Sequence, residues 1–246
     1  MKDSYGRTVD YMRISITDRC NLRCRYCMPE MPCFLPRKEL LSLEDILDIC
    51  VCGARMGIRK IKITGGEPLL RPGCVELIRK LKEIPGMEKV TLTTNGVLLA
   101  PFAEALYQAG IDGVNVSLDT LNEDKFAALT RGGSRADTLA GLDAAWNAGF
   151  RGSKLNVVLL GGVNADEIPA LAQLAQDGKY EVRFIELMPI GECTDWPRER
   201  FLSADAVLHA LPELQRLPNE GVAERYRKPG WKGQIGLIRP MSHSSC

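Results

Sequence analysis

Short apolar segments alternate with amphipathic stretches along most of this 246-residue chain. The apolar segments predict six strands, at 12–16, 60–64, 89–93, 113–117, 154–160 and 181–187. The amphipathic stretches predict helices that begin at Ser42 and Asn122 and helices near 74–83, 101–109, 135–148 and 165–176. Regular alternation of strands and helices is typical of a parallel sheet with right-handed crossover connections.

Six strand–helix units are too few for an eight-stranded barrel. We therefore expect an α/β fold, an open and partial (β/α)6 barrel of the TIM type, over residues 1–191. From residue 192 the pattern changes to a polar loop, a short helix at 203–211 and two short strands at 223–227 and 233–239. Residues 192–246 are therefore expected to form a small extension that closes the open side of the barrel.

In barrels of this kind the chemistry lies on loops at the C-terminal ends of the strands. Polar, cysteine or glycine motifs follow five of the predicted strands. They are the Cys20–Cys27 loop, Gly65-Gly66-Glu67, Thr93-Thr94-Asn95, Ser117-Leu118-Asp119 and Met188. These motifs are therefore expected to meet at one edge of the sheet.

The densest of these motifs is a run of three cysteines, Cys20, Cys24 and Cys27, with C-x3-C-x2-C spacing. Three thiolates would leave the fourth iron of a cubane cluster without a protein ligand, and an open iron can bind and activate a substrate. A zinc site would want a fourth ligand, and the chain has only His209 and His243, both far from the motif.

The other cysteines give little support to a disulfide framework. The whole chain has nine cysteines, an odd number, and the N-terminus lacks the apolar core of a secretion signal. Cys50 lies at core spacing on a predicted helix and is expected to be a small buried residue. Cys33 could be mistaken for a fourth ligand, but Pro29 and Pro32 predict an extended loop there.

Composition narrows the class of protein. Hydrophobic residues make up 45% of the chain, charged residues 26%, and the net charge is +1. This balance gives no reason to expect a nucleic acid or membrane partner. No apolar run approaches the length of a membrane span, so we expect a cytoplasmic protein.

Three cations interrupt otherwise apolar strands: Arg13, Lys62 and Lys154. An inward-facing cation is costly unless it has a partner. Together they favour a polyanionic substrate, for which a triphosphate is suitable. The alternative is that each cation faces solvent or pairs with an acid. Arg71 is a further candidate.

Several longer segments carry a family resemblance. They are YMRISITDRC at 11–20, YCMP at 26–29, TGGEPLLR at 64–71, TTNG at 93–96 and IELMPIG at 185–191. The cysteine spacing resembles the radical S-adenosylmethionine (SAM) superfamily. The wider set is similar to its GTP 3′,8-cyclase family, a group of lyases in molybdenum cofactor biosynthesis, from about residue 7 to residue 246.

The resemblance implies cofactors and a reaction. The three cysteines would hold a [4Fe–4S] cluster whose open iron chelates SAM. One electron would release a 5′-deoxyadenosyl radical that removes the 3′ hydrogen of GTP. Attack on C8 of guanine would then lead to 3′,8-cyclo-7,8-dihydro-GTP. A reductant for the cluster and a downstream pyranopterin-forming enzyme are implied partners, and a homodimer is compatible with the family pattern.

The resemblance also assigns residues. Tyr26, Gly66, Ser117 and Met188 match positions that bind SAM, and Tyr26 would lie against its amino acid portion. The positions that match GTP contacts are Arg13, Lys62, Thr93 and Lys154. For Tyr26 the structural alternative is an ordinary buried aromatic, and for Ser117 or Met188 taken alone a structural role is the simpler interpretation.

Cys246 aligns with the first of three cysteines that hold a second [4Fe–4S] cluster in the family. The sequence stops there, and Ser245 stands where the family usually has Phe. We therefore expect a C-terminally truncated cyclase, in which SAM cleavage survives while GTP cyclisation is weak or lost.

Two other interpretations stay open. A radical SAM enzyme of the peptide maturase type would share the cysteine motif and the barrel. A non-catalytic iron–sulfur or zinc-binding module would share only the cysteines.

Overall fold

The structure, a computed structural model, describes residues 2–242, and the side chains of all of these except 219 and 220. It has a mixed α/β fold, as predicted. The strands are β1 Tyr11–Ser15, β2 Lys60–Thr64, β3 Lys89–Thr94, β4 Gly113–Ser117, β5 Ser153–Leu159, β6 Tyr180–Glu186, β7 Gln215–Glu220, β8 Ala223–Arg227 and β9 Ile235–Ile238. The helices are α1 Leu43–Arg55, α2 Cys74–Lys82, α3 Leu99–Gln108, α4 Glu123–Thr130, α5 Arg135–Ala148, α6 Ile168–Gln173 and α7 Asp205–Ala210.

Contacts divide the chain into two compact units. The first consists of the residues up to Asn21, Cys33–Asn115 and Asp137–Phe150. The second consists of Leu22–Pro32, Val116–Ala136 and the residues from Arg151 onward. The division passes through β4, so both units are discontinuous in sequence.

In the first unit, β1, β2 and β3 are parallel neighbours, with Arg13 paired to Lys62 and Lys62 paired to Thr91. Side chains alternate between the two faces of a strand. One face is a dry core, in which Ile63 and Leu92 are fully buried. The opposite face is less buried and carries the polar side chains of the three strands.

Local signals explain the first helix. Ser42 accepts a hydrogen bond from the N–H of Asp45, and the Asp45 carboxylate accepts one from the N–H of Ser42, which is the predicted capping box. The helix ends just before Gly57, whose φ of +106° suits glycine. Cys50 is fully buried on the core face, as predicted.

In the second unit, β5 and β6 are parallel, and β9 pairs in parallel with β6. β8 and β7 then continue antiparallel. The two short strands predicted in the extension are therefore β8 and β9, and they lengthen the sheet beside β6. The buried carboxylate of Glu186 accepts hydrogen bonds from the N–H groups of Ala204, Met241 and Ser242, which fastens the extension to the end of β6.

Two elements differ from the prediction. β7 was not predicted, because Gln215–Glu220 is polar and contains Pro218, which the structure accommodates in an outer strand with a register shift. The helix expected at 165–176 is shorter, because Ala165–Glu167 forms a 3-10 turn before α6. Within residues 2–242, no helix combines the length and apolar character needed to cross a membrane.

Candidate active site at the strand ends

The loop with Cys24 and Cys27 is a tight turn in the second unit. The N–H groups of Cys27 and Met28 both donate to the carbonyl of Cys24, at 2.9 and 3.1 Å. The N–H groups of Arg23 and Arg25 donate to the last carbonyls of α4, each at 3.0 Å. Helix ends leave carbonyls without intrahelical partners, so the loop caps α4 and is held by it.

Arg131, just past α4, secures the same loop. Its guanidinium donates to the carbonyls of Arg23 and Met28, at 2.9 and 3.0 Å. Its φ of +56° is the one positive value at a non-glycine residue in the described part of the chain. A strained backbone of this kind is sustained only where its surroundings hold it, so this turn is firmly built.

Cys20 lies in the first unit, after β1. The side-chain amide of Asn95 is 3.6 Å from the Cys20 sulfur and donates to Asn21 at 2.8 Å. Cys20 and Cys24 are half-buried and Cys27 is exposed, and among the residues described no cysteine forms a disulfide. Asn95 was not among the predicted site residues, although it belongs to the motif at 93–96.

The donor set fits an iron–sulfur cluster. Three reduced thiols are the ligands that such clusters take, and an N–H group aimed at one sulfur is a feature that tunes them. Between residues 2 and 242, no three His, Cys, Asp or Glu side chains converge closely enough to hold a single metal ion. A cubane takes one thiolate on each iron, so its ligands need not converge in that way.

The Gly65-Gly66-Glu67 segment packs backbone to backbone against the chain that precedes Cys20. A Cβ on Gly66 would lie 2.2 Å from the carbonyl oxygen of Arg19. The N–H of Gly66 donates to Thr17 and that of Glu67 to Arg19, both at 2.7 Å. Only glycine allows this approach, so the spacing of these two loops depends on Gly66.

Glu67 is fully buried at the same place and joins the ends of β2 and β3. Its carboxylate accepts from the hydroxyl of Thr94 and the N–H of Asn95, both at 2.8 Å, and from the N–H of Leu69 at 3.1 Å. Burial raises the pKa of Glu67, and these hydrogen bonds offset part of that rise. Its place in the predicted motif was visible in the sequence, but its partners were not.

The predicted GTP residues fall into two sets. Three of them, Arg13, Lys62 and Thr93, lie on the less buried face of β1, β2 and β3 in the first unit. Arg13 stands opposite Lys62 in the register of β1 and β2. Lys154 lies on β5 in the second unit, where its ammonium is 3.8 Å from the carboxylate of Glu181. The structure thus brings Arg13 and Lys62 together and gives Lys154 an acidic neighbour.

Arg71 has a different environment from these cations. Its guanidinium donates to the backbone carbonyls of Ile16 and Leu41. These contacts tie together three segments of the first unit, so Arg71 has a structural role there.

Tyr26 makes a buried polar contact in the second unit. Its hydroxyl donates to Asp119 at 2.7 Å, and the other oxygen of Asp119 accepts from the N–H of Val158 at 2.8 Å. Burial raises the pKa of Asp119 to about 6. Burial, and then the charge of Asp119, holds the pKa of Tyr26 well above its usual value. Asp119 belongs to the predicted Ser117-Leu118-Asp119 motif, but its contact with Tyr26 was not predicted, because 93 residues separate the two.

The other two predicted SAM residues of the second unit differ in exposure. Ser117 is half-buried at the end of β4, whereas Met188, just after β6, is 41% exposed. The carbonyl of Met188 lies 3.5 Å from the buried thiol of Cys193. Cys246, the predicted ligand of a second cluster, lies outside the described residues.

A cavity of about 620 Å³ in the second unit is lined by other residues. Among them are Arg25, Leu129, Leu160 and Trp196. Its described lining contains none of the predicted site residues.

Two models of known protein families match most of the chain. Residues 14–175 match the Radical SAM superfamily, and residues 180–246 match the family Molybdenum Cofactor Synthesis C.

Individual relatives match over the whole chain. The GTP 3′,8-cyclase of Alkaliphilus oremlandii is 48% identical over 249 residues, which is 100% of this chain and 78% of that protein. The GTP 3′,8-cyclase of Thermodesulfovibrio yellowstonii is 47% identical and that of Listeria monocytogenes 44%, covering 79% and 76% of those proteins and 100% of this chain.

Solved structures establish the same fold at low identity. Streptococcus suis SuiB bound to its precursor peptide SuiA superposes with a TM-score of 0.70 at 18% identity, over 83% of this chain and 45% of that one. Methylornithine synthase superposes with a TM-score of 0.62 at 17% identity, over 82% and 60% of the two chains. With both family matches and relatives aligned over its full length, the chain belongs to the GTP 3′,8-cyclase family of the radical SAM superfamily.

Proposed function

We propose that this chain acts on GTP and SAM to form 3′,8-cyclo-7,8-dihydro-GTP, the first step of molybdenum cofactor biosynthesis. The observation that carries the proposal is the layout of the first unit. Arg13 and Lys62 lie side by side on the strands whose ends carry Cys20 and Gly66. The cations of a triphosphate site and the residues of a cofactor site are thus built on the same two strands.

Cys20, Cys24 and Cys27 are the residues that would hold the [4Fe–4S] cluster. When bound, the cluster and SAM supply one electron and a 5′-deoxyadenosyl radical. The chain contributes the ordered turn that presents Cys24 and Cys27, and the Asn95 amide beside the Cys20 sulfur. These contacts orient the thiols before any cofactor arrives.

For SAM, we assign Gly66, Ser117, Met188 and Tyr26. Gly66 has no side chain to block the approach of a ligand to its C=O group, while its N–H is already bonded to Thr17. Ser117 is the last residue of β4 and Met188 follows β6, in the positions where folds of this type place their ligand contacts. Tyr26 lies between two of the proposed cluster ligands.

For GTP, we assign the charges of Arg13, Lys62 and Lys154 to the triphosphate and the hydroxyl of Thr93 to a hydrogen bond. Glu181 neutralises part of the charge of Lys154 when no substrate is bound. A polyanion would therefore compete with Glu181 for this ammonium group.

We also propose the wider setting that the family implies. Residues 1–191 would form the barrel domain, and residues 192–246 would form the extension with Cys246 as a ligand of a second cluster. The partners would be a cytoplasmic reductant, a pyranopterin-forming enzyme that takes the product and a second copy of the chain in a homodimer.

Anaerobic reconstitution with iron, sulfide and a reductant tests the proposal. We expect 5′-deoxyadenosine to form from SAM, and a Cys24→Ala variant is the matched control. No 5′-deoxyadenosine above the Cys24→Ala level would contradict a radical enzyme. Stoichiometric zinc without iron would support the non-catalytic module instead. GTP consumption is scored separately from SAM cleavage.

A further inference from the structure

Tyr26 is held at both ends by residues that are distant in sequence. Its hydroxyl donates to Asp119, which follows β4, and its backbone carbonyl lies 3.4 Å from the thiol of Cys193, beyond β6. Neither contact is needed to form the Cys24–Cys27 turn, which has its own hydrogen bonds. Both contacts therefore act on Tyr26 itself.

The Asp119 contact is part of a rigid support. Asp119 is only 7% exposed, and its second oxygen is occupied by the N–H of Val158. The fully buried amide of Asn164 donates to the carbonyls of Asp119 and Val158, at 2.7 and 2.8 Å. Asp119 consequently has little freedom to move, and the Tyr26 hydroxyl that donates to it is held in the same way.

The Cys193 contact links Tyr26 to a second predicted SAM residue. The Cys193 sulfur lies within 3.5 Å of the carbonyl oxygens of Tyr26, Met188 and Ile190. It is 1% exposed and belongs to an apolar cluster with Leu129 and Leu187, against which Tyr26 packs. One buried thiol therefore lies between the backbones of Tyr26 and Met188.

We propose that Asp119 and Cys193 are positioning residues for SAM binding, which act by fixing Tyr26 in the cysteine loop. The inference rests on the proposed function, because it takes Tyr26 as a cofactor residue. Groups that orient metal ligands through hydrogen bonds commonly change metal affinity or activity about 10- to 100-fold when they are removed, and we take that range as the scale for SAM. The side chain of Tyr26 is committed to Asp119, so the ring serves as an anchor for its own backbone.

The central test measures the SAM dissociation constant of the reconstituted protein by anaerobic calorimetry. Asp119→Ala removes the acceptor, and we expect binding about 10-fold weaker or more. In Asp119→Asn, the side-chain oxygen can accept from Val158 while the amide donates to the Tyr26 oxygen. The Asn variant should therefore recover most of the affinity. Unchanged affinity in Asp119→Ala would overturn the proposal.

A double-mutant cycle identifies the partner. Tyr26→Phe removes the same hydrogen bond from the other side, so Tyr26→Phe combined with Asp119→Ala should bind SAM no more weakly than the worse single variant. Additive losses would show that Asp119 acts through something other than Tyr26, and would refute the assignment.

Glu167 provides a matched control in the same unit. Its carboxylate also accepts from one hydroxyl and one backbone N–H group, those of Thr120 and Leu121, at 2.6 and 2.9 Å, and in addition from the ammonium of Lys125 at 3.3 Å. Glu167→Ala should lower the melting temperature without weakening SAM binding. Equal losses of SAM affinity in Glu167→Ala and Asp119→Ala would show that the Asp119 effect comes from a general loss of stability in the second unit, and would contradict the proposal.

Cys193 has its own pair of variants. Cys193→Ser keeps a donor among the three carbonyls, whereas Cys193→Ala removes it, so SAM affinity should fall further for Ala than for Ser. Cys50→Ala, a fully buried cysteine of the first unit, is the control and should leave affinity unchanged. Equal affinity in Cys193→Ala and wild type would remove Cys193 from the proposal.

An electron paramagnetic resonance spectrum of the reduced cluster, with and without SAM, distinguishes failure of the proposed function from failure of the positioning role. If wild type shows no cluster signal and binds no SAM, the proposed function fails. If wild type responds to SAM and Asp119→Ala responds identically, only the positioning role fails. We expect a full response from wild type and Asp119→Asn and a diminished one from Asp119→Ala.

Discussion

The carboxylate of Glu67 accepts a hydrogen bond from the backbone N–H of Asn95 at 2.8 Å, and this contact joins the Gly-Gly loop to the residue beside the Cys20 sulfur. Glu67 is fully buried, and two other donors share its carboxylate. A single side chain thus sets the distance between the ends of β2 and β3.

Glu67→Ala should therefore be strongly destabilising. Three donors lose their acceptor in a buried place, and we expect the free energy of unfolding to fall by about 3 kcal/mol. Glu67→Gln keeps the shape and one acceptor oxygen, so its loss should be smaller. Denaturant unfolding measures both. Glu76→Ala, at an exposed position on α2, should change the free energy little, and a similar loss there would contradict the explanation.

Gly66→Ala should separate the loops that the fold brings together. Its Cβ would meet backbone atoms of Asp18 and Arg19, the closest at 2.2 Å, and backbone cannot swing aside as a side chain can. We expect about 4 kcal/mol of destabilisation or failure to bind SAM. Gly113→Ala is the control, because its nearest neighbour would be a methyl group at 3.9 Å. A well-folded, SAM-binding Gly66→Ala variant would refute this argument.

Lys154→Ala should weaken GTP binding by about tenfold, which corresponds to about 1.4 kcal/mol. The variant removes a cation from a strand position, whereas Glu181 keeps its shorter ion pair with Arg183 at 2.6 Å. Calorimetric titration with GTP gives the dissociation constant. Lys82→Ala removes a cation that pairs with Asp112 in the other unit, and its affinity should match wild type. Equal affinities for Lys154→Ala and Lys82→Ala would favour a radical SAM enzyme with a different substrate.

The free energy of unfolding should fall as the pH rises from about 4 to about 6, because of the raised pKa of Asp119. Burial raises its pKa from 3.8 in the unfolded chain to about 6 in the folded protein. Within this window the folded state keeps the proton and the unfolded state releases it, so rising pH favours unfolding. The full decrease in the free energy of unfolding is about 3 kcal/mol, and it stays constant above about pH 6.

Asp119→Asn has no such proton, so the melting temperature of wild type should decline relative to it from about pH 4 to about pH 6. Thermal melts of both proteins in a series of buffers measure this difference. A difference in melting temperature between the two proteins that stays constant from about pH 4 to about pH 6 would show that burial does not shift the pKa of Asp119.

Local signals were enough to predict most of the fold. The capping box of Ser42 and Asp45 lies within four residues, and the strands are apolar runs bounded by turns, so both are visible along the chain. β7 was missed because an outer strand needs no apolar run. The cysteine loop and the Gly-Gly motif were visible because their chemistry is contiguous.

The supports of the site could not be predicted in the same way. Asp119 lies 93 residues from Tyr26, and Cys193 lies 167 residues from it. No periodicity links such positions, since only the folded backbone decides which buried group meets which. Glu67 was visible as part of a motif, but its bond to Asn95 follows from the pairing of β2 with β3.

The division of the chain into two discontinuous units also has a consequence for the order of events during synthesis. Leu22–Pro32 belongs to the second unit, and its anchors are the end of α4 and Arg131, more than 100 residues later. Contacts of such long range form slowly, and during translation they must wait for the later segment to emerge. Cys24 and Cys27 are therefore synthesised early but become ordered late. Cluster insertion should consequently follow the folding of the second unit.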